Sequence, residues 1–368
     1  MSNTDVDARI NEFIARTREL TGTEVKAREP WNTEASADAI RHFAYGTDDG
    51  NPLWLDPDYA AKSRYGKLVA PRAFLVSVLY PILRGAPMDA PLSSLIGGLE
   101  FEWFLPVLVG DKLRAKSVQK GMYEKKSKSG RRLVFVISEC TYWNQDDAVV
   151  GKATGTMIRA TQVGTELLFE RPIHRYSDKE LEEIDKAMKA EERTGNRTLY
   201  WEDVSVGQDI PPIVRGPLTI GDMVCWNTAL GPSYKAGRLG YLDLLKAPHG
   251  GVRNPMTGWS VKDSQQHEDF HLAAQRGMPG PFDNGVMRFA WVAPLVTNWM
   301  GDDGFLRRFY VQVRTPNIYG DTTWYRGKVV EKIRDREPLV KVEITGVNQA
   351  GETTTQGRAE VVLPTRGG

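Results

Sequence analysis

The chain has 368 residues, 41% hydrophobic and 26% charged, with 48 Lys+Arg against 47 Asp+Glu and a net charge of +1. That balance excludes a disordered, fibrous or coiled-coil protein and gives no support for nucleic-acid binding, while the length suits two domains of roughly 150–200 residues each. Two cysteines, Cys140 and Cys225, leave no disulfide framework or four-cysteine zinc site, and no run approaches the ~18–20 apolar residues of a membrane span. The start is polar and acidic, without a signal-peptide core, so the expectation is a cytoplasmic protein with no membrane or nucleic-acid partner.

In chain order, a short helix is predicted from Ser36 to Ala44, with Ser36 as its N-cap. A polar stretch follows, Tyr45 to Ala60. The next helix, Arg72 to Ile82, is apolar nearly all round and therefore expected to be buried. Strands are expected over Leu99–Phe104, Lys112–Gly121, Arg132–Trp143 and Ala148–Arg159, with a basic turn from Lys125 to Gly130. That turn reads as a solvated hairpin tip, or as a contact for phosphates. Residues 166–198 read as a linker. In it Ser177 and Glu180 form a capping box, and Leu181, Ile184 and Met188 give a thin apolar stripe.

The second half begins with a helix from Thr219 to Trp226, capped by Thr219 and Asp222. A Gly-, Tyr- and Leu-rich insertion covers 232–258, a length more often functional or an oligomer contact than idle. A long apolar helix runs from Val286 to Met300, and strands are expected over Phe309–Arg314, Thr323–Ile333, Leu339–Asn348 and Thr353–Leu363.

The halves share landmarks in the same order. Pro106…Gly110-Asp111 recurs as Pro316…Gly320-Asp321, 210 residues on. Asn144-Gln145 recurs as Asn348-Gln349 after 204, and Gly151-Lys-Ala as Gly357-Arg-Ala after 206. Near-constant spacing argues for two copies of one fold, residues 10–165 and 199–364. An α+β arrangement follows, with two antiparallel sheets each wrapping a central helix.

The stretch Asp49-Gly-Asn51-Pro52-Leu-Trp54-Leu-Asp56 resembles the hydratase motif of the MaoC-like dehydratases, the R-specific enoyl-CoA hydratases. So does His267-Glu-Asp269, followed by Gly277-Met-Pro279-Gly280 and Asn284-Gly285. The resemblance implies a double hot-dog fold and a lyase acting on an acyl-CoA or acyl carrier protein thioester. It implies an Asp and a His sharing one water, a glycine N–H polarising the thioester oxygen, no cofactor and no metal, and a homodimer or higher homo-oligomer.

Neither copy keeps the whole pattern. The first has Asp49, Asn51 and Pro52, but Trp54 replaces the His and Pro71-Arg72 replaces the His-Gly at the helix start. An indole has no basic nitrogen, and Pro71 has no N–H. The second keeps His267 and Gly285, but Lys262 stands where the Asp belongs and Asp263 lies one residue late. The expectation is therefore a degenerate first copy and an active second copy. His267, Asp263 and Gly285 are its catalytic candidates, with Asp49 as fallback. Asn51, Trp54, Trp259 and Asn284 are the candidates for substrate contact, Trp226, Trp259, Trp291 and Trp299 reading either as core or as the wall of a pocket for a bulky acyl group.

Two other readings stand beside this one. The broken Asp/His pairs suit a non-catalytic thioester-binding subunit. His267-Glu268-x-x-His271 spells a zinc-peptidase motif, which needs both histidines on one helical face. Pro279 and Pro281 stop such a helix early, and no third ligand at suitable spacing follows.

Overall fold

The computed structural model describes residues 3–25, 31–87, 92–127, 130–161, 171–231, 235–246 and 250–367. The first half contains α1 (Asn3–Glu19), β1 (Glu24–Val25), α2 (Ala37–Gly46), α3 (Pro52–Leu55), α4 (Pro57–Ala61), β2 (Leu92–Trp103), β3 (Arg114–Lys126), β4 (Arg132–Trp143) and β5 (Val149–Thr161). Helix α5 (Asp178–Lys189) follows. The second half contains β6 (Asp209–Arg215), α6 (Ile220–Leu230), α7 (Gly237–Lys246), β7 (Gly251–Arg253), β8 (Ser260–Lys262), α8 (Phe270–Gln275), α9 (Gly285–Met300), β9 (Phe305–Val313), β10 (Thr323–Arg334), β11 (Pro338–Asn348) and β12 (Thr353–Val362).

The strand order β1-β3-β4-β5-β2-β9-β12-β11-β10-β6 reads the same from both ends if each strand is exchanged for its counterpart in the other half. The two expected sheets thus join edge to edge, through antiparallel pairing of β2 with β9, into one ten-stranded sheet among the described residues. The repeat extends to individual hydrogen bonds. Asp111 accepts from the Leu108 N–H at 2.8 Å, and Asp321 from the Ile318 N–H at 2.8 Å. Gln145 accepts from the Lys112 N–H and Gln349 from the Thr322 N–H, both at 3.0 Å. Gly110 and Gly320 hold φ of 92° and 86°, where a side chain would be strained, which is why glycine ends both turns.

The central helices differ. Every residue of α9 from Val286 to Met300 is buried, as an all-round apolar pattern requires. The expected helix from Arg72 to Ile82 is instead a 3-10 helix, Arg72–Ser77. Pro81 excludes helical backbone at Tyr80 and removes a donor, and the Ser77 hydroxyl bonds back to the Phe74 carbonyl at 2.7 Å. The carbonyls freed beyond it are taken by the sheet: Leu79 by the Tyr142 hydroxyl and Pro81 by the Ser138 hydroxyl, both at 2.7 Å.

At the seam, Phe101 of β2 is registered opposite Phe309 of β9. Phe289 of α9 packs on both, with ring centroids 5.3 and 5.1 Å away. The expected N-caps Ser36 and Thr219 are present, Thr219 in a full capping box with Asp222. In the linker the capping box of α5 forms, but only Ile184 of the stripe is buried, while Leu181 and Met188 are exposed. Residues 166–170, 232–234 and 247–249 of the linker and insertion, with Lys128 and Ser129 of the basic turn, lie outside the described residues.

Helices α2 and α6 meet at Gly46, where a Cβ would land on the Cys225 carbonyl and lie 2.5 Å from the Ala229 Cβ. Gly46→Ala is expected to cost about 1–3 kcal/mol, the range for overpacking a close contact, read as a lower urea midpoint with an unchanged slope.

Candidate active site

Asp269 caps α8 by accepting from the His271 and Leu272 N–H groups, as Asp56 caps α4 through the Asp58 and Tyr59 N–H groups. This shared cap sets His267 against Trp54 and Gly285 against Arg72 in the repeat. His267 ends the 3-10 helix Asp263–His267. Its Nδ1 lies 2.7 Å from the Phe282 carbonyl, an acceptor, so Nδ1 carries the proton and Nε2 keeps its lone pair. Burial lowers the pKa of the ring below its ordinary value, with the Phe282 carbonyl and the charges of Asp283 and Asp263 opposing. The imidazole is therefore neutral at neutral pH.

Phe282 leads directly into α9. Asn284 caps that helix, its Oδ1 accepting from the Val286 N–H at 2.9 Å and from the Tyr80 hydroxyl of the first half at 2.7 Å. The start is anchored below by a fully buried pair: Arg288 donates to both Asp283 oxygens at 2.6 and 2.7 Å. Arg288 also donates to the Thr315 and Thr354 carbonyls at 2.8 and 2.7 Å. The Gly285 N–H is one of the first-turn donors for which a helix has no internal acceptor. A Cβ on Gly285 would lie 2.7 Å from the Ile96 Cβ, so the glycine also has a packing reason, and valine there would disturb the fold as well as the site.

Asp263 does not join His267 in a hydrogen bond. Its carboxylate lies 3.4 Å from Arg84 Nη1, because the chain enters the 3-10 helix there and turns the side chain toward the first half. Glu268, which the sequence offered only within the zinc motif, accepts from Asn227 of α6 at 2.6 Å, and burial raises its pKa to about 7. The zinc motif itself is broken: Asp269 is a helix cap between His267 and His271, so the two histidines lie in different elements.

Asp49 belongs elsewhere. It is 5% exposed, and burial raises its pKa to about 6, against the lowering effects of Trp54, Arg193 and Arg215. Arg193 in turn bonds Asn298, near the C-terminal end of α9, at 3.0 Å. A helix of this length spans roughly 24 Å, so Asp49 and His267 lie at opposite ends and share no water. Asn51 uses its Oδ1 to cap α3, and Trp54 is buried with no acceptor at hydrogen-bonding geometry on its Nε1. Both are spent on the fold rather than on a substrate surface. At the matching helix start, the buried Arg72 guanidinium packs on Phe305 at 4.3 Å, where the second half has Gly285 against Ile96.

Trp226, Trp291 and Trp299 are core. Trp259 is 56% exposed and packs on Tyr241 of the insertion, so it forms an outer surface rather than a pocket wall. Just after the basic turn, at the start of β4, Arg132 is held by Asp7 and Glu124. No helix among the described residues is long and apolar enough to cross a membrane.

Residues 19–153 match the sequence family described as FAS1-like, dehydratase domain region. A UPF0336 protein of Streptomyces avermitilis is 26% identical over 156 residues, 41% of this chain and all of that protein. Across the whole chain the likeness is to solved structures. A MaoC-like dehydratase superposes with a TM-score of 0.66 at 17% identity, covering 95% of this chain and 100% of that one. A Mycobacterium tuberculosis protein described as having a double hotdog fold gives 0.55 at 10% identity over 93% and 96%. The chain thus has a double hot-dog fold, like the solved MaoC-like dehydratase it superposes on, and its first half matches a FAS1-like dehydratase region.

The Asp49 carboxyl takes a proton more readily in the folded chain, at about 6, than unfolded, at 3.8. The stability lost to its buried charge therefore returns as the pH falls through 6 and is fully regained below 3.8. Asp49→Asn is expected to exceed the wild type most above pH 6, by at most roughly 3 kcal/mol, with the gap closing toward pH 4 in urea titrations.

Proposed function

We propose that the chain interconverts a trans-2-enoyl and a 3-hydroxyacyl thioester, carried on coenzyme A or an acyl carrier protein, at the His267 corner. The carrying observation is the ring itself: Nδ1 is bound to the Phe282 carbonyl and the neutral Nε2 is left as a base beside the start of α9. In the hydration direction Nε2 takes a proton from water while the water oxygen bonds to C3. The π electrons move onto the thioester oxygen, where the Gly285 N–H and the positive end of α9 stabilise the enolate. The imidazolium then returns the proton to C2. One water is added, no electrons are lost, and no cofactor or metal takes part.

In this reading residues 199–364 form the active half, 10–165 the degenerate half and 166–198 the connection. Asp263 serves by holding Arg84 rather than by sharing the water. The alternative, a thioester-binding subunit without turnover, is favoured by that same engagement of Asp263 with Arg84.

His267→Ala is expected to lower kcat/KM at least ~100-fold on an enoyl-CoA that the wild type turns over. The acid limb of the wild-type pH profile is expected to have its midpoint below 6.5, because burial disfavours the imidazolium. Loss of turnover with Asp49→Asn but not with His267→Ala would move the active site to the first half. Binding of enoyl-CoA without turnover across chain lengths would favour the subunit reading.

A further inference from the structure

The repeat provides an internal comparison beside His267. Counted from the N-caps Ser36 and Thr219, the eighth residue along is Ala44 in α2 and Asn227 in α6. The match holds one residue earlier, where Phe43 and Trp226 pack on each other with ring centroids 6.3 Å apart. Counted from the caps Asp56 and Asp269, the residue just before is Leu55 in the first half and Glu268 in the second. Ala44 is buried and Leu55 packs against the core. Asn227 and Glu268 are half-buried and bonded to each other, Asn227 Nδ2 donating to Glu268 Oε1 at 2.6 Å. Two positions far apart in the chain are thus both apolar in one half and both polar in the other, and there they meet. The fold alone gives no reason for the change. Burial raises the Glu268 pKa to about 7, against the lowering effect of Asn227, so the carboxylate is held at a cost that leucine avoids. Replacing both members of such a pair by apolar groups is close to neutral or stabilising.

The polar pair acts on the turn that carries His267. That residue ends a five-residue 3-10 helix, a form whose own hydrogen bonds are poorly aligned. The Gln265 carbonyl accepts from the Glu268 and Asp269 N–H groups at 3.0 and 2.9 Å, closing the turn around His267. Asp269 accepts from Asn254 of the insertion at 2.8 Å, and the Asn227–Glu268 bond ties the same turn to the last turns of α6. We propose that Asn227 and Glu268 are positioning residues for His267: their bond fixes its turn against α6, so that the ring keeps Nδ1 on the Phe282 carbonyl and leaves Nε2 free. The proposal rests on the reading of His267 as the base. In that reading the first half has no base to place, and it keeps the apolar residues.

The test gives the second half the residues of the first, as the double variant Asn227→Ala/Glu268→Leu of the full chain. It is expected to melt no lower than the wild type. Its kcat on an enoyl-CoA that the wild type turns over is expected to fall at least ~10-fold with KM within about threefold, because small misplacements of a catalytic group are costly. Glu268→Gln keeps an oxygen for Asn227 and is expected to hold kcat within about twofold of the wild type. The His267 ring is read separately by nitrogen NMR without substrate. The Nδ1-protonated tautomer is expected in the wild type and in Glu268→Gln, and mixed tautomers in the double variant. Wild-type kcat and wild-type ring signals in the double variant overturn the positioning role and leave the catalytic reading standing. A melting point well below that of the wild type also overturns it, since the pair then serves the fold. So does a loss of kcat in Glu268→Gln equal to that of the double variant, since the carboxyl itself is then at work. If the wild type turns over no enoyl thioester while the double variant still shifts the ring signals, the catalytic assignment fails and the positioning role stands.

Discussion

The antiparallel pairing of β2 with β9 is the constraint on which the rest of the molecule depends. Each half alone would leave that strand as an open edge, with a row of unpaired N–H and C=O groups. Joined, the two edges satisfy one another, and Phe101, Phe309 and Phe289 make an apolar seam over the join. The same pairing carries β2 past the start of α9, setting Ile96 against Gly285. The candidate site is therefore a product of the seam: His267 and the helix start come from the second half, while Ile96, Tyr80 and Arg84, which meet Gly285, Asn284 and Asp263, come from the first.

Duplication left the halves free to diverge in what they hold at equivalent places. In the second, a sixteen-residue buried helix begins at Gly285, packed closely against Ile96. In the first, a proline and a buried arginine begin a six-residue 3-10 helix whose continuation is tied to the sheet by Ser138 and Tyr142. The shorter helix leaves room for the following segment to cross toward the other half, where Tyr80 meets Asn284 and Arg84 meets Asp263. The altered helix start in the first half and the contacts it sends to the second are thus one structural change.

Burial acts in opposite directions on the two titratable groups that the motif singles out. It disfavours the charged form in each, so it keeps His267 a neutral base and makes Asp49 a reluctant carboxylate. The first outcome suits proton transfer near neutral pH. The second is a cost borne by the fold, softened by Arg193 and Arg215 at the far end of α9.

Features set by a few neighbouring residues were legible in the sequence. The caps at Ser36, Ser177 and Thr219, the paired Gly-Asp turns, the burial of α9 and the doubled hot-dog order all follow from short-range patterns of polarity and turn chemistry. The matched caps Asp56 and Asp269 were seen only in the structure; in the sequence they were positions of the motif. The 3-10 helix at Arg72 was missed because its cause lies beyond helix periodicity, in Pro81 and in hydroxyls on β4 that take up the freed carbonyls. The partner of Asp263, the Asn227–Glu268 pair and the exposure of Trp259 had no sequence signal at all. Each depends on which side chains from distant segments arrive at the same few ångströms. Local propensity along the chain determined the elements and their repeat; only the closure of the two edges into one sheet decided which residues meet, because electrostatic and hydrogen-bonding partners are chosen by distance in space.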